Sequence, residues 1–235
     1  MAIGRESFFW HKLHSLTGVL PIGFYMIQHL TLNSFSLAGA EKFNGVIGFF
    51  SAIPAHVLLV LEIGVLGLPI LFHSIYGLFI TARADLNYAN PKYRFAQNRM
   101  FLFQRITGVA LFFFLIAHVM TTTVVAKLKG HEHIEFAAWH AKLTANGNIV
   151  LILYMIGVVA AAYHLAYGIW NFCIRWGITV SEVSQRRMQA FSFGFFWFCV
   201  LLGWAALFGF VRGDSSASGQ AHVQAAPSVV ASGSR

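Results

Sequence analysis

The chain has 235 residues, of which 57% are hydrophobic and 10% charged, with a net charge of +8. A soluble domain carries about 25% charged residues, so a water-facing surface is excluded over most of the chain and lipid is the expected solvent. The basic residues lie between apolar runs and not along one periodic face, which argues against nucleic acid as a partner and fits a multi-pass membrane protein.

The N-terminal stretch from Met1 to Lys12 carries Arg5, Glu6, His11 and Lys12 and is not followed by a small-residue cleavage site, so no signal peptide is expected. A helix needs ~20 apolar residues to cross a bilayer core of ~30 Å. Five stretches meet that requirement: Leu13–Phe35, His56–Ile80, Phe101–Ala126, Asn148–Phe172 and Ala190–Val211. Pro21 and Pro69 fall inside the first two, where neighbouring helices can satisfy the freed carbonyls and kinks are expected. The connections Ser36–Ala55 and Lys127–Gly147 are long enough to hold short helices on the membrane surface. Residues 1–211 thus form one all-α membrane domain, and the Ser/Ala/Gly-rich tail, 212–235, is expected to be disordered because it cannot bury a core.

An odd number of spans puts the termini on opposite sides. One side collects Arg5, Lys12, Arg83, Lys92, Arg94, Arg99, Arg105, Arg175, Arg186 and Arg187; the other holds Lys42, Lys127, Lys129, Lys142, Arg212 and Arg235. By the positive-inside rule the N-terminus is cytoplasmic and the C-terminus is outside the cytoplasmic (inner) membrane. The most basic connection runs from Thr81 to Met100. The two cysteines, Cys173 and Cys199, form no C-x-x-C pair, so neither an iron–sulfur cluster nor a structural zinc is expected on this chain.

Two local patterns occur twice, in the same order. Thr17-Gly18-Val19 followed by His29 in the first span matches Thr107-Gly108-Val109 followed by His118 in the third. His73-Ser-Ile-Tyr76-Gly77 in the second span matches His164-Leu-Ala-Tyr167-Gly168 in the fourth. At ~1.5 Å rise per residue, His29 and His118 lie about 24–25 Å beyond the cytoplasmic starts of their spans, near the outer face. His73 and His164 lie about 24–26 Å from the outer starts of theirs, near the cytoplasmic face. The pairs His29/His118 and His73/His164 are therefore expected at two levels roughly 15–20 Å apart. That arrangement suits two bis-histidine haems stacked in a four-helix bundle made by the first four spans. The competing reading is a haem-free transporter or channel that uses the histidines as a proton relay. A relay would favour more carboxylates, whereas Glu62 is the only acid well inside a span.

Leu13-His14-Ser15-Leu16-Thr17-Gly18-Val19, Ile27-Gln28-His29-Leu30, His73-Ser-Ile-Tyr76-Gly77, Gln104-Arg105-Ile106-Thr107-Gly108 and Trp176-Gly177-Ile178-Thr179 resemble the cytochrome b558 membrane-anchor subunit of succinate dehydrogenases and fumarate reductases, in its single-chain, five-helix, dihaem form. The resemblance runs from about Arg5 to about Arg187, weakens in the fifth span and excludes the tail. It implies that His29, His73, His118 and His164 are the axial ligands of two haem b groups. It also implies a cytoplasmic flavoprotein (FAD) subunit and an iron–sulfur subunit as partners, with electrons passing between them and menaquinone or another quinone through the haems, in either direction. The dicarboxylate site would then lie on the flavoprotein, and the Thr81–Met100 connection would suit docking of these partners. The alternative within this class is a dihaem anchor of another quinol-linked enzyme.

Arg105, at the cytoplasmic end of the third span, is a candidate for a haem propionate, since a guanidinium binds carboxylates bidentately. His14, Ser15, Arg83 and Arg175 are at a similar level. Glu62, in the outer half of the second span, is suited to take up or release the quinol proton near the outer level. Gln28 and His56 are further outer-side candidates, whereas His131, His133 and His140 lie in an outer connection and read as solvated.

Overall fold

The computed structural model describes residues 3–84, 92 and 95–212, and among these no strand occurs. Residues 85–91, 93 and 94 of the basic Thr81–Met100 connection, Arg94 among them, and the tail beyond Arg212 lie outside the described residues. Seven helices carry the fold: α1 (residues 3–33), α2 (Ala40–Ser51), α3 (Ala55–Ala82), α4 (Ala96–Lys129), α5 (Phe136–Thr144), α6 (Ile149–Arg175) and α7 (Glu182–Arg212).

Four of them, α3, α4, α6 and α7, are long and apolar enough to cross a membrane. The stretches containing them run to 28–34 residues; at ~1.5 Å per residue they exceed a ~30 Å hydrocarbon core, so their ends extend past the apolar runs of the sequence into the interface. The first expected span, Leu13–Phe35, is helical up to Asn33, but His14, Ser15, Thr17, Gln28 and His29 make α1 more polar than the other four. The short helices expected in the two outer connections are α2 and α5.

The expected proline kinks take the form of π turns. Pro21 lies inside the π segment Gly18–Gly23 of α1, and Pro69 stands two residues past the end of the π segment Val60–Gly67 of α3. Proline removes one i→i−4 bond, and a wider turn re-pairs the neighbouring groups. A third π segment, Met120–Val124 in α4, contains no proline. There the hydroxyls of Thr121 and Thr122 donate to the carbonyls of Ala117 (2.8 Å) and His118 (2.6 Å), and such back-bonding competes with the backbone ladder.

α1, α3, α4 and α6 form a ring in which α1 packs on α3 and α6, and α4 packs on the same two helices. α7 lies outside the ring against α6 and α1. A buried cluster of Phe43, Phe136, Leu143, Leu207 and Phe210 ties α2 and α5 to the C-terminal end of α7. The Ser36 hydroxyl donates to the Ala206 carbonyl at 2.7 Å, and the His140 ring bonds the Phe210 carbonyl at 2.8 Å. Leu143 is fully buried, so Leu143→Ala is expected to cost about 2–5 kcal/mol of stability through lost burial and the cavity left behind. Leu201 is 61% exposed on the outer side of α7, and its replacement by alanine is expected to cost under about 0.5 kcal/mol. Thermal unfolding in detergent, followed by circular dichroism, compares the two.

Candidate functional site: two histidine pairs inside the helix ring

The ring of α1, α3, α4 and α6 brings four histidines, one from each helix, together two by two, with a further α1 histidine, His14, against His73. His29 and His118 have ring centroids 5.7 Å apart, and His73 and His164 have centroids 6.1 Å apart. The planes within each pair are nearly perpendicular, at 86° and 85°. The two levels are well separated. His14 stacks on His73, and His29 lies fifteen residues further along α1, which is about 22 Å of helix.

The inner pair is held by a repeated device. The His73 ring donates from Nδ1 to the His14 carbonyl at 2.9 Å, and the His164 ring from Nδ1 to the Gln104 carbonyl at 3.1 Å. His14 and Gln104 occupy the same place in the repeat, three residues before Thr17 and Thr107. One residue past each threonine stands the glycine that receives the ring. A β-carbon at Gly18 would collide with His73 Cε1, and one at Gly108 would come within 2.9 Å of His164 Cε1. The Thr-Gly-Val repeat therefore seats the histidine of the following helix against bare backbone, and an adjacent carbonyl fixes its tautomer. With Nδ1 engaged as donor, Nε2 is the nitrogen left to bind a metal.

The outer pair is held differently. His118 Nδ1 meets the Tyr154 hydroxyl at 3.1 Å, and Phe114 stacks on the His118 ring at 5.9 Å. Tyr25 stacks on His29 at 5.6 Å. Beside Tyr154, Lys142 Nζ donates to Thr121 Oγ1 at 3.2 Å. The Lys142 ammonium also sits over the Trp139 and Tyr154 rings, 4.7 and 5.8 Å from their centroids. Burial lowers its pKa from the ordinary lysine value.

The donor set fits haem. Among the described residues no three His, Cys, Asp or Glu side chains converge as a metal-binding group; His14 lies flat against His73, 4.0 Å away, and His73 meets His164 edge to face. Two imidazoles are too few for a protein-held zinc ion, which takes three or four protein ligands. They are the number required when a macrocycle supplies the equatorial donors and the protein only the axial ones. A metal–imidazole bond of about 2 Å puts two rings on opposite sides of one metal at roughly 6 Å between centroids, and both observed separations are close to that value.

Of the other candidates, Arg105 adjoins Gln104, with its guanidinium 3.9 Å from the centroid of Phe101 and its Nε buried. At the same end of the ring, Arg83 lies over Phe79, Arg175 donates to the His11 carbonyl, and Ser15 accepts from the Trp176 indole. Glu62 is not a lone acid: Lys127 Nζ pairs with it at 2.6 Å. It lies within electrostatic reach of Tyr25, the residue stacked on His29, and so stands toward the outer level. Gln28 is separate from this group and lines an open cavity of about 350 Å³ between α1 and α2 with Leu32, Phe35, Lys42, Val46 and Phe49. His56 is exposed near the start of α3. His131 bonds the Ser51 hydroxyl, and His133 meets Glu132. Gln104 and Tyr154 were not among the expected site residues. Gln104 was detectable as the counterpart of His14 in the repeat, whereas Tyr154 has no counterpart there.

Four long apolar helices and a ring enclosing paired histidines define a helical integral membrane protein with imidazole pairs in its interior. The family model described as the succinate dehydrogenase/fumarate reductase transmembrane subunit matches residues 85–203. Over 208 residues the chain is 34% identical to the succinate dehydrogenase cytochrome b558 subunit of Bacillus subtilis (strain 168), covering 88% of this chain and 99% of that relative. The chain belongs to the succinate dehydrogenase/fumarate reductase transmembrane-subunit family.

Proposed function

We propose that this chain is the dihaem membrane anchor of a succinate:quinone oxidoreductase, with α1 as a fifth transmembrane helix. The observation that carries this reading is the meeting of two histidine pairs across a ring of four helices, with no group of three metal-holding side chains among the described residues. His29 and His118 would hold one haem b, and His73 and His164 the other. Such haems supply one-electron carriage between the two faces of the bilayer. The protein's part is to fix three of the imidazoles as neutral ligands, through the carbonyls of His14 and Gln104 and the Tyr154 hydroxyl, to brace the fourth, His29, with the Tyr25 ring, and to keep all four away from water.

The end of the ring that carries His14, Arg83, Arg105 and Arg175 is the cytoplasmic end on charge grounds. It is the face on which a flavoprotein and an iron–sulfur subunit would dock; cytochrome b558 in the name of the Bacillus subtilis relative supports such a role. Quinone is the membrane-side substrate. Glu62, paired with Lys127 and close to Tyr25, is the acid best placed to exchange its proton near the outer level.

Purification of the tagged chain from its native membrane tests this reading. A flavoprotein and an iron–sulfur protein are expected to co-purify, with succinate-dependent reduction of an added quinone. Glu62→Gln is expected to lower that reduction at least several-fold while leaving the haem spectrum intact. Recovery of a haem-containing chain with the subunits of another dehydrogenase would favour a different quinol-linked complex.

A further inference from the structure

The two histidine pairs differ in what stands behind them. The inner ligands are anchored to backbone carbonyls, which carry no net charge. The outer ligand His118 is anchored to a chain of side chains that ends on a cation. His118 Nδ1 donates to Tyr154 Oη, Lys142 Nζ lies over the Tyr154 ring, 5.8 Å from its centroid, and Lys142 Nζ also donates to Thr121 Oγ1, whose own hydroxyl donates to the Ala117 carbonyl beside His118. Lys142 comes from α5, outside the ring, and reaches in across Trp139 and Tyr154. Among the described residues it has no carboxylate within ion-pairing distance, in contrast to Lys127, which is matched by Glu62.

A partly buried cation with no countercharge is weakly screened, so its field persists at the metal site behind Tyr154. Reduction of a ferric haem adds one negative charge, which a nearby cation favours.

We propose that Lys142, acting through Thr121 and Tyr154, is a positioning residue for His118 and raises the midpoint potential of the outer haem alone. This rests on the assignment of His29 and His118 as one haem's ligands.

The test is a spectroelectrochemical titration of the intact complex, with wild type beside Lys142→Gln, Lys142→Arg, Tyr154→Phe and His118→Ala. His118→Ala identifies the outer haem as the component that disappears. Lys142→Gln is expected to retain both haems and to shift the midpoint of that component, and of no other, to a more negative value. Lys142→Arg is expected to keep the wild-type midpoint. Tyr154→Phe is expected to change the low-spin ferric electron paramagnetic resonance signal of the same component, because His118 Nδ1 loses its acceptor. Unchanged midpoints in Lys142→Gln, or equal shifts of both haems, would overturn the proposal. If Lys142→Gln does not assemble, an unaltered outer-haem signal in Tyr154→Phe overturns it. Absence of b-type absorbance in the wild type would instead sink the underlying haem assignment.

Discussion

Replacing His29 with alanine is expected to remove half of the b-type haem, and His118→Ala is expected to remove the same half. The two rings face each other at 5.7 Å and share no contact with the other pair, about 22 Å of helix away. Loss of either leaves one axial ligand where two are needed. His73→Ala and His164→Ala are expected to remove the other half, because those rings face each other at 6.1 Å. The combination His29→Ala with His118→Ala should still bind one haem, whereas His29→Ala with His73→Ala should bind none. Reduced-minus-oxidised difference spectra with haem quantification check all of these. A different loss from His29→Ala than from His118→Ala would break the pairing.

The second large effect concerns residues that bind nothing themselves. Gly18→Val and Gly108→Val are each expected to eliminate the inner haem. At Gly18 the first added carbon already overlaps the His73 ring, and that ring is held in place by the His14 carbonyl. It cannot withdraw without giving up the bond that fixes its tautomer. At Gly108 the added carbon meets His164 in the same way. Gly194 in α7 is the control, because a β-carbon there meets nothing within 4 Å; Gly194→Val is expected to keep both haems. The measurement is haem content of purified, folded protein, with the outer-haem spectrum as internal reference. Retention of two haems in both Gly18→Val and Gly108→Val would contradict the seating role.

These glycines show what was legible in the sequence and what was not. Periodicity and depth counting bring out the long helices, the two histidine levels and which ring belongs with which, because helix rise converts sequence spacing into distance. The repeat of Thr-Gly-Val was visible, but the use of its glycine was not. The structure gives the reason: Gly18 and Gly108 make room for the imidazoles of the next helix. The carbonyl acceptors could not be read from residue types, since every residue has a carbonyl and only packing selects those of His14 and Gln104. The Lys127–Glu62 pair was hidden for a related reason. Lysine was counted as a topology signal and glutamate as a lone intramembrane acid. Their meeting depends on how the end of α4 packs beside α3, which one helix's pattern does not encode.

Tyr154 and Lys142 were invisible from the repeat because they break it. The inner level is built twice from one plan, whereas the outer level uses a tyrosine from α6 and a lysine from α5. That asymmetry gives the two sites unequal surroundings.

The most direct test of the central claim is the pyridine-haemochrome content of the purified full-length chain, set against protein mass from quantitative amino-acid analysis. Two haem b per chain is the predicted value. A colourless protein, or one haem per chain at full occupancy, would contradict the assignment of four histidines to two haems.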